Sequence, residues 1–210
     1  RGKLSDGVDG VDGLAGAAAV AVSADGLRVY VAGQSEHALA VFDRSLTDGS
    51  LELLGVLRDG EGGVDGLGTP TGIAVLPDGP YAGRVYVSAY ADSSLAAFDP
   101  DFPDLEFLGV WKDGDPNVDG LAGASAVVAR NGSYGPQVYV SSQFDSAVAV
   151  FATDWIGNFS QVQVAQDGVG GFDGLEGALA LDLSPDGELL YVAGSYEDAV
   201  AVMLRNTSDG

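Results

Sequence analysis

The 210-residue chain carries 31 acidic against 9 basic residues, a net charge of −22, and no cysteine. That balance excludes a nucleic-acid ligand, whose phosphates need a basic footprint, and it suits divalent cations or a protein kept soluble in salty surroundings. The lack of thiols excludes a disulfide framework, a thiolate zinc site and a thiol nucleophile, and no apolar run reaches the ~20 residues of a membrane-spanning helix.

Arg1 stands where an initiator methionine would be, so a processed product or an excerpt of a longer protein is expected. Residues 6–14 then give the first copy of a loop that organises the chain: Asp-Gly, four variable residues, Asp-Gly-Leu. Further copies run 59–67, 113–121 and 167–175, at intervals of 53, 54 and 54 residues. Self-similarity at such a period points to a solenoid, propeller or array.

Four short strands follow in each period. The first is made of small residues: Ala17 to Val22, Thr71 to Val75, Ala124 to Val128, Ala178 to Leu183. Turns such as Ala24-Asp25-Gly26, Pro77-Asp78-Gly79 and Pro185-Asp186-Gly187 supply the positive φ of tight hairpins. A Tyr-Val pair marks the second strand (Tyr30, Tyr86, Tyr139, Tyr191). The third runs Ala38 to Phe42, Leu95 to Phe98, Ala147 to Phe151 and Ala199 to Met203, and the fourth Leu51 to Leu57, Leu105 to Trp111 and Phe159 to Ala165.

Short β-branched and aromatic strands with Gly/Asp/Pro punctuation give an all-β chain. Four antiparallel strands per repeat is the unit of a β-propeller, so four blades are expected, at about 11–58, 64–112, 118–166 and 172–210, in one domain. The Ala- and Gly-rich first strands suit the crowded axis. Lys3-Leu4-Ser5-Asp6 aligns with Val56-Leu57-Arg58-Asp59, so the N-terminal segment 1–5 is expected to complete the last blade and remove its exposed edge.

Ser184-Pro185-Asp186-Gly187-Glu188-Leu189-Leu190-Tyr191-Val192-Ala193-Gly194, followed by Ala199-Val200-Ala201-Val202, resembles the repeat of the lactonase-type, YVTN-containing propellers; Ser23 to Gly33 with Ala38 to Phe42 repeats it. The resemblance runs blade by blade over the whole chain and implies the fold. For activity it implies less, because that family's enzymes, similar to 6-phosphogluconolactonase, have seven blades, and none of their catalytic positions matches a residue here.

The loops carry the candidate chemistry. Ring closure would bring Asp12, Asp65, Asp119 and Asp173 together near the axis. At ~8 Å and an effective dielectric of ~20, neighbours would repel by roughly 2 kcal/mol. Such a ring asks for a cation, for protonation, or for backbone amides, and Ca²⁺ takes hard oxygen ligands of this kind. Asp6, Asp59, Asp113 and Asp167 open the same loops and are candidate ligands with them. The third loop, Asp113-Gly114-Asp115-Pro116-Asn117-Val118-Asp119, has the alternating Asp/Asn pattern of a calcium loop, but no loop has the bidentate Glu of an EF-hand. The competing reading is that Asp-Gly makes turns and Asp caps backbone amides.

A second recurring acid, Glu36, Asp92, Asp145 or Glu197, lies between the second and third strands of each repeat and reads as solvated turn chemistry. His37, the single histidine, has no partner suited to nucleophilic catalysis. Three of the four asparagines, Asn131, Asn158 and Asn206, head N-glycosylation sequons in turns, which points to a secreted eukaryotic glycoprotein.

Because the acids are spread evenly over the repeats, the expected function is a non-catalytic extracellular structural or adhesive module, calcium-stabilised. Its expected partners are other extracellular proteins or glycans, further copies of itself, or the rest of a longer parent chain. The alternatives are a lactonase-like hydrolase with a metal in the central channel, and a carbohydrate-binding propeller displaying Tyr90, Phe144, Trp155 and Tyr196.

Overall fold

The computed structural model describes residues 2–100 and 105–206. Its strands form four antiparallel sheets, each a meander in chain order. Blade 1 holds β1 (Ala17–Val22), β2 (Arg28–Gly33), β3 (Ala38–Arg44) and β4 (Leu51–Arg58). Blade 2 holds β5 (Pro70–Val75), β6 (Val85–Ala89), β7 (Ser94–Asp99) and β8 (Glu106–Lys112), and blade 3 holds β9 (Ala124–Asn131), β10 (Pro136–Ser142), β11 (Ala147–Thr153) and β12 (Phe159–Gln166). Blade 4 holds three strands, β13 (Ala178–Leu183), β14 (Leu189–Gly194) and β15 (Ala199–Leu204). This is the four-bladed all-β propeller architecture the repeat predicts.

Register explains how the repeats share one shape. Each first strand carries an irregularity near its start, as at Ala17/Ala19 and Ala178/Ala180. Each fourth strand carries one at mid-length: Val41 faces Gly55 while the next residue, Phe42, faces Leu53, which leaves Leu54 outside the ladder. The same bulge leaves out Leu108 and Val162. These three apolar residues are exposed for that reason.

The core lies between blades rather than within them. Tyr30, Leu39 and Val41 of blade 1 pack on Val85, Val87, Ala96 and Phe98 of blade 2. Tyr86, Leu95 and Ala97 then pack on Val138, Val140, Ala149 and Phe151 of blade 3, with Trp111 set edge-on to Phe159 at 5.0 Å. Tyr139, Val148 and Val150 pack on Leu190, Val192 and Ala201 of blade 4. The first strands are successive neighbours, β1 beside β5, β5 beside β9 and β9 beside β13, so they line the inner edge as their small residues predict.

Two expectations about closure need correction. Residues 2–5 form no strand, and β15 pairs only with β14, so the N-terminal segment does not complete the last blade. No comparable packing joins β13 back to β1, and the four described blades form an arc. The physical reason is the thin wedge between blades, made largely of Ala, Val and Leu with one aromatic layer. Four blades closing by themselves need a quarter-turn at each contact, which such a wedge does not give. The turn expected at Ser208-Asp209-Gly210 lies outside the described residues.

Candidate metal clusters on the loop-bearing rim

In a four-stranded meander the second-to-third-strand turns and the blade-to-blade loops emerge at one rim, and the remaining turns at the other. Each blade-to-blade loop is built alike. In the second, Gly60 donates its N–H to the Val64 carbonyl, and Val64 donates to Glu61; the first, third and fourth loops repeat both bonds. The opening aspartate closes the loop, since its Oδ1 accepts the N–H of the leucine eight residues on. The four distances are 2.9 Å for Asp6 and Leu14, 2.9 Å for Asp59 and Leu67, 3.0 Å for Asp113 and Leu121, and 3.0 Å for Asp167 and Leu175. The second aspartates Asp12, Asp65 and Asp119 each accept the N–H of the following glycine.

That glycine has two reasons to be glycine. Gly66 has φ +85°, and a Cβ on it would lie 2.4 Å from Val110 Cγ2 on the outer strand. Gly13 and Gly120 meet Val56 and Val164 in the same way.

The second aspartates do not form one axial ring. The structure instead joins the two acid series that the sequence keeps apart, one cluster per blade: Asp6, Asp12 and Glu36; Asp59, Asp65 and Asp92; Asp113, Asp119 and Asp145; Asp167, Asp173 and Glu197. Within each, three carboxylate oxygens lie within 4.8 Å of one another. Asp115 and Asn117 stand exposed outside the third cluster, so its loop is not a calcium loop of alternating ligands; the third carboxylate comes from the turn between β10 and β11.

What balances these charges differs between blades. In blade 1, Arg58 at the end of β4 lies 2.9 Å from Asp12 Oδ2 and 3.7 Å from Glu36 Oε2. In blade 2, Lys112 at the end of β8 places Nζ 2.7 Å from Asp65 Oδ1. These cations hold the Asp12 and Asp65 carboxyls below the usual aspartate value. The equivalent residue in blade 3 is Gln166, whose Nε2 donates to the Asp145 carbonyl. Burial pushes the Asp145 carboxyl up; the Ala122 N–H at 2.7 Å opposes that shift, and the charges of Asp113 and Asp119 add to it. Gln161 braces this cluster by accepting the Asp119 N–H at 2.9 Å.

His37 proves to be a latch between blades. Its Nδ1 accepts the Thr69 N–H at 2.8 Å, as Ser93 Oγ accepts from Gly123 and Ser146 Oγ from Gly177 one and two blades on. All three have positive φ. Their common place just after the recurring acid is the signal in the sequence that marks them.

Of the sequon asparagines, Asn158 and Asn206 are exposed, whereas Asn131 donates its amide to Asp78 across the contact between blades 2 and 3. Tyr90, Phe144 and Tyr196 share the acidic rim, with Tyr90 and Phe144 rings 5.1 Å apart. Trp155 lies in the turn between β11 and β12, on the opposite rim.

No protein-family model matches the chain, and no curated protein matches it. Solved structures do. An inferred 6-phosphogluconolactonase from Bacteroides uniformis shares 17% identity at a TM-score of 0.69, over 90% of this chain and 50% of that one. The periplasmic gluconolactonase of Pseudomonas aeruginosa shares 18% at 0.67, over 91% and 50%. A Myceliophteria thermophila β-propeller domain shares 14% at 0.63, over 90% and 51%. The chain therefore spans about half the length of the structures it matches. At these identities the likeness is one of fold, and the fold it shares is that of lactonase-type β-propellers.

Proposed function

We infer that the chain is a β-propeller segment that takes divalent cations on its loop-bearing rim, with calcium as the ion. The third cluster, Asp113, Asp119 and Asp145, is the principal site, and Asp167, Asp173 and Glu197 form a second. The observation behind this reading is Gln166, which stands where blades 1 and 2 place Arg58 and Lys112 among the same three acids. The donors fit the ion, because Ca²⁺ takes six to eight hard oxygens, with backbone carbonyls and water completing a set of carboxylates. A bound dication would hold the third loop as Arg58 holds the first, consistent with a structural module that works outside the cell. The exposed Asn158 and Asn206 leave room for glycans on such a module.

Thermal unfolding and calorimetric titration with Ca²⁺, against Mg²⁺ and EDTA controls, test the reading. Binding to the native state alone raises stability by about 2.7 kcal/mol at a hundred times Kd, and Asp119→Asn with Asp145→Asn should abolish the shift. A melting temperature indifferent to calcium returns these aspartates to turn chemistry.

The second reading, a lactonase-like hydrolase, is favoured by the gluconolactonases among the similar structures. In it a metal polarises the lactone carbonyl. A pH-stat assay on gluconolactone separates the two: calcium-dependent ring opening lost in Asp119→Asn supports the hydrolase, and a rate equal to buffer supports the binding module.

A further inference from the structure

The arc ends on two faces, each half of a contact that the chain makes three times internally. Tyr30, Tyr86 and Tyr139 lie under the following blade and are 2%, 1% and 3% exposed, whereas Tyr191, at the same place in blade 4, is 39% exposed. Residues paired across strands share a face. Tyr191 is opposite Val202, Ala193 opposite Val200 and Leu189 opposite Leu204, so the trailing face of blade 4 presents an apolar row to solvent. On the leading face of blade 1, Val20 is opposite Val31 and Val22 opposite Val29. Val20 is 66% exposed, but its counterpart Val127, which faces blade 2, is 6% exposed.

A separate feature concerns the outer edge of blade 4. Gly13, Gly66 and Gly120 are covered by an outer-strand valine, while the nearest atom to a Cβ on Gly174 is Ala199 Cβ at 3.5 Å. Beside β15 lies a cavity of about 340 Å³ lined by Val148, Ala165, Leu190, Val202 and Met203. Every loop but the first follows the outer strand of the preceding blade. The first follows residues 2–5, which have no strand partner.

We propose that this four-blade unit pairs head to tail with a second copy of itself, the trailing face of each on the leading face of the other, closing an eight-bladed ring. Residues 2–5 of each copy then add to β15 of the other. The occupant is specified by the repeat: what blade 4 lacks is a leading face carrying valines at the positions of Val20 and Val22, preceded by an outer-strand segment, and blade 1 with residues 2–5 supplies both. Two heterologous contacts related by a two-fold axis close without leaving an end. The solved chains that this arc superposes on are about twice its length, so the curvature needs about one more such unit to come round. Strand register follows from blade 1, where Leu39 faces Leu57 and Ala38 faces Arg58; by the repeat, Leu4 of one copy faces Val200 of the other, and Ser5 faces Ala199.

The absence of native cysteine makes the test clean. Leu4→Cys and Val200→Cys proteins, mixed and mildly oxidised, should give a disulfide-linked species of two chains, and neither protein alone should. The unaltered chain should sediment at twice its monomer mass. Val20→Glu with Val202→Glu, both at exposed positions, should give a one-chain species with unchanged circular dichroism. The proposal is overturned by a one-chain species of the unaltered protein at tens of micromolar, by mixed variants that do not cross-link, or by a ladder of ever larger species, which would mean an open array.

Discussion

Lys112 and Asp65 make an ion pair at 2.7 Å inside a cluster of three carboxylates, and the position of Lys112 one blade later is Gln166. A single strand-end residue thus separates blades that neutralise their own rim acids from one that does not. Arg58→Gln and Lys112→Gln should each convert a cluster to the composition of the third. Calorimetric titration should then find one further calcium per substitution. Without calcium each should lower stability by no more than about 1 kcal/mol, since partly exposed ion pairs are worth about that much.

Asp145 makes the converse case. Its carboxyl is raised by burial and by Asp113 and Asp119, so its contribution to stability is full below the unfolded value and is lost as pH rises through the raised one. Asp145→Asn can still accept the Ala122 N–H. It should raise the melting temperature at pH 7 without calcium, leave it unchanged near pH 3, and remove any calcium response of the third cluster.

Other aspartates act with the opposite sign. Asp48 is lowered to about 2 by the Ser50 N–H, helped by the Ser45 and Ser50 hydroxyls, and Asp12 and Asp65 are lowered by Arg58 and Lys112. Stability they contribute is present above the unfolded value of about 4 and is lost as pH falls through the lower native values. Melting followed from pH 5 down to pH 2 should show stability falling, and Asp48→Asn should flatten the lower end of that slope.

The loop glycines separate backbone strain from collision. Gly66 and Gly174 both have φ +85°, but an added Cβ would lie 2.4 Å from Val110 in one and 3.5 Å from Ala199 in the other. Gly66→Ala should cost about 2–4 kcal/mol, combining the left-handed penalty with overpacking. Gly174→Ala should cost only about 1–2 kcal/mol in the isolated chain. Chemical denaturation of both variants gives the comparison directly.

The strands were legible because each is announced locally, by a Tyr-Val pair, an Asp-Gly turn or an Ala-rich start. The clusters were half legible. Asp113 and Asp119 lie six residues apart in one loop, but Asp145 reaches them only because sheet register brings the turn between β10 and β11 over the loop that enters β9. The period at which Asp145 recurs as Asp92 and Glu197 was visible; its destination was not. An axial ring of second aspartates followed from taking the loop ends as the point of convergence, whereas the carboxylates turn toward their own blade. Closure was misread because it depends on the thickness of side chains between blades, which pairing patterns along the chain do not report.

Since the apolar clusters lie between sheets, no blade owns a hydrophobic interior. Blades 2 and 3 are gripped on both faces, blades 1 and 4 on one. Stability is then shared out by neighbours along a row, as in repeat proteins, and unravelling starts from the outside. Amide exchange should be slowest in β6, β7, β10 and β11 and fastest in β15, with protection falling in steps from the middle outward.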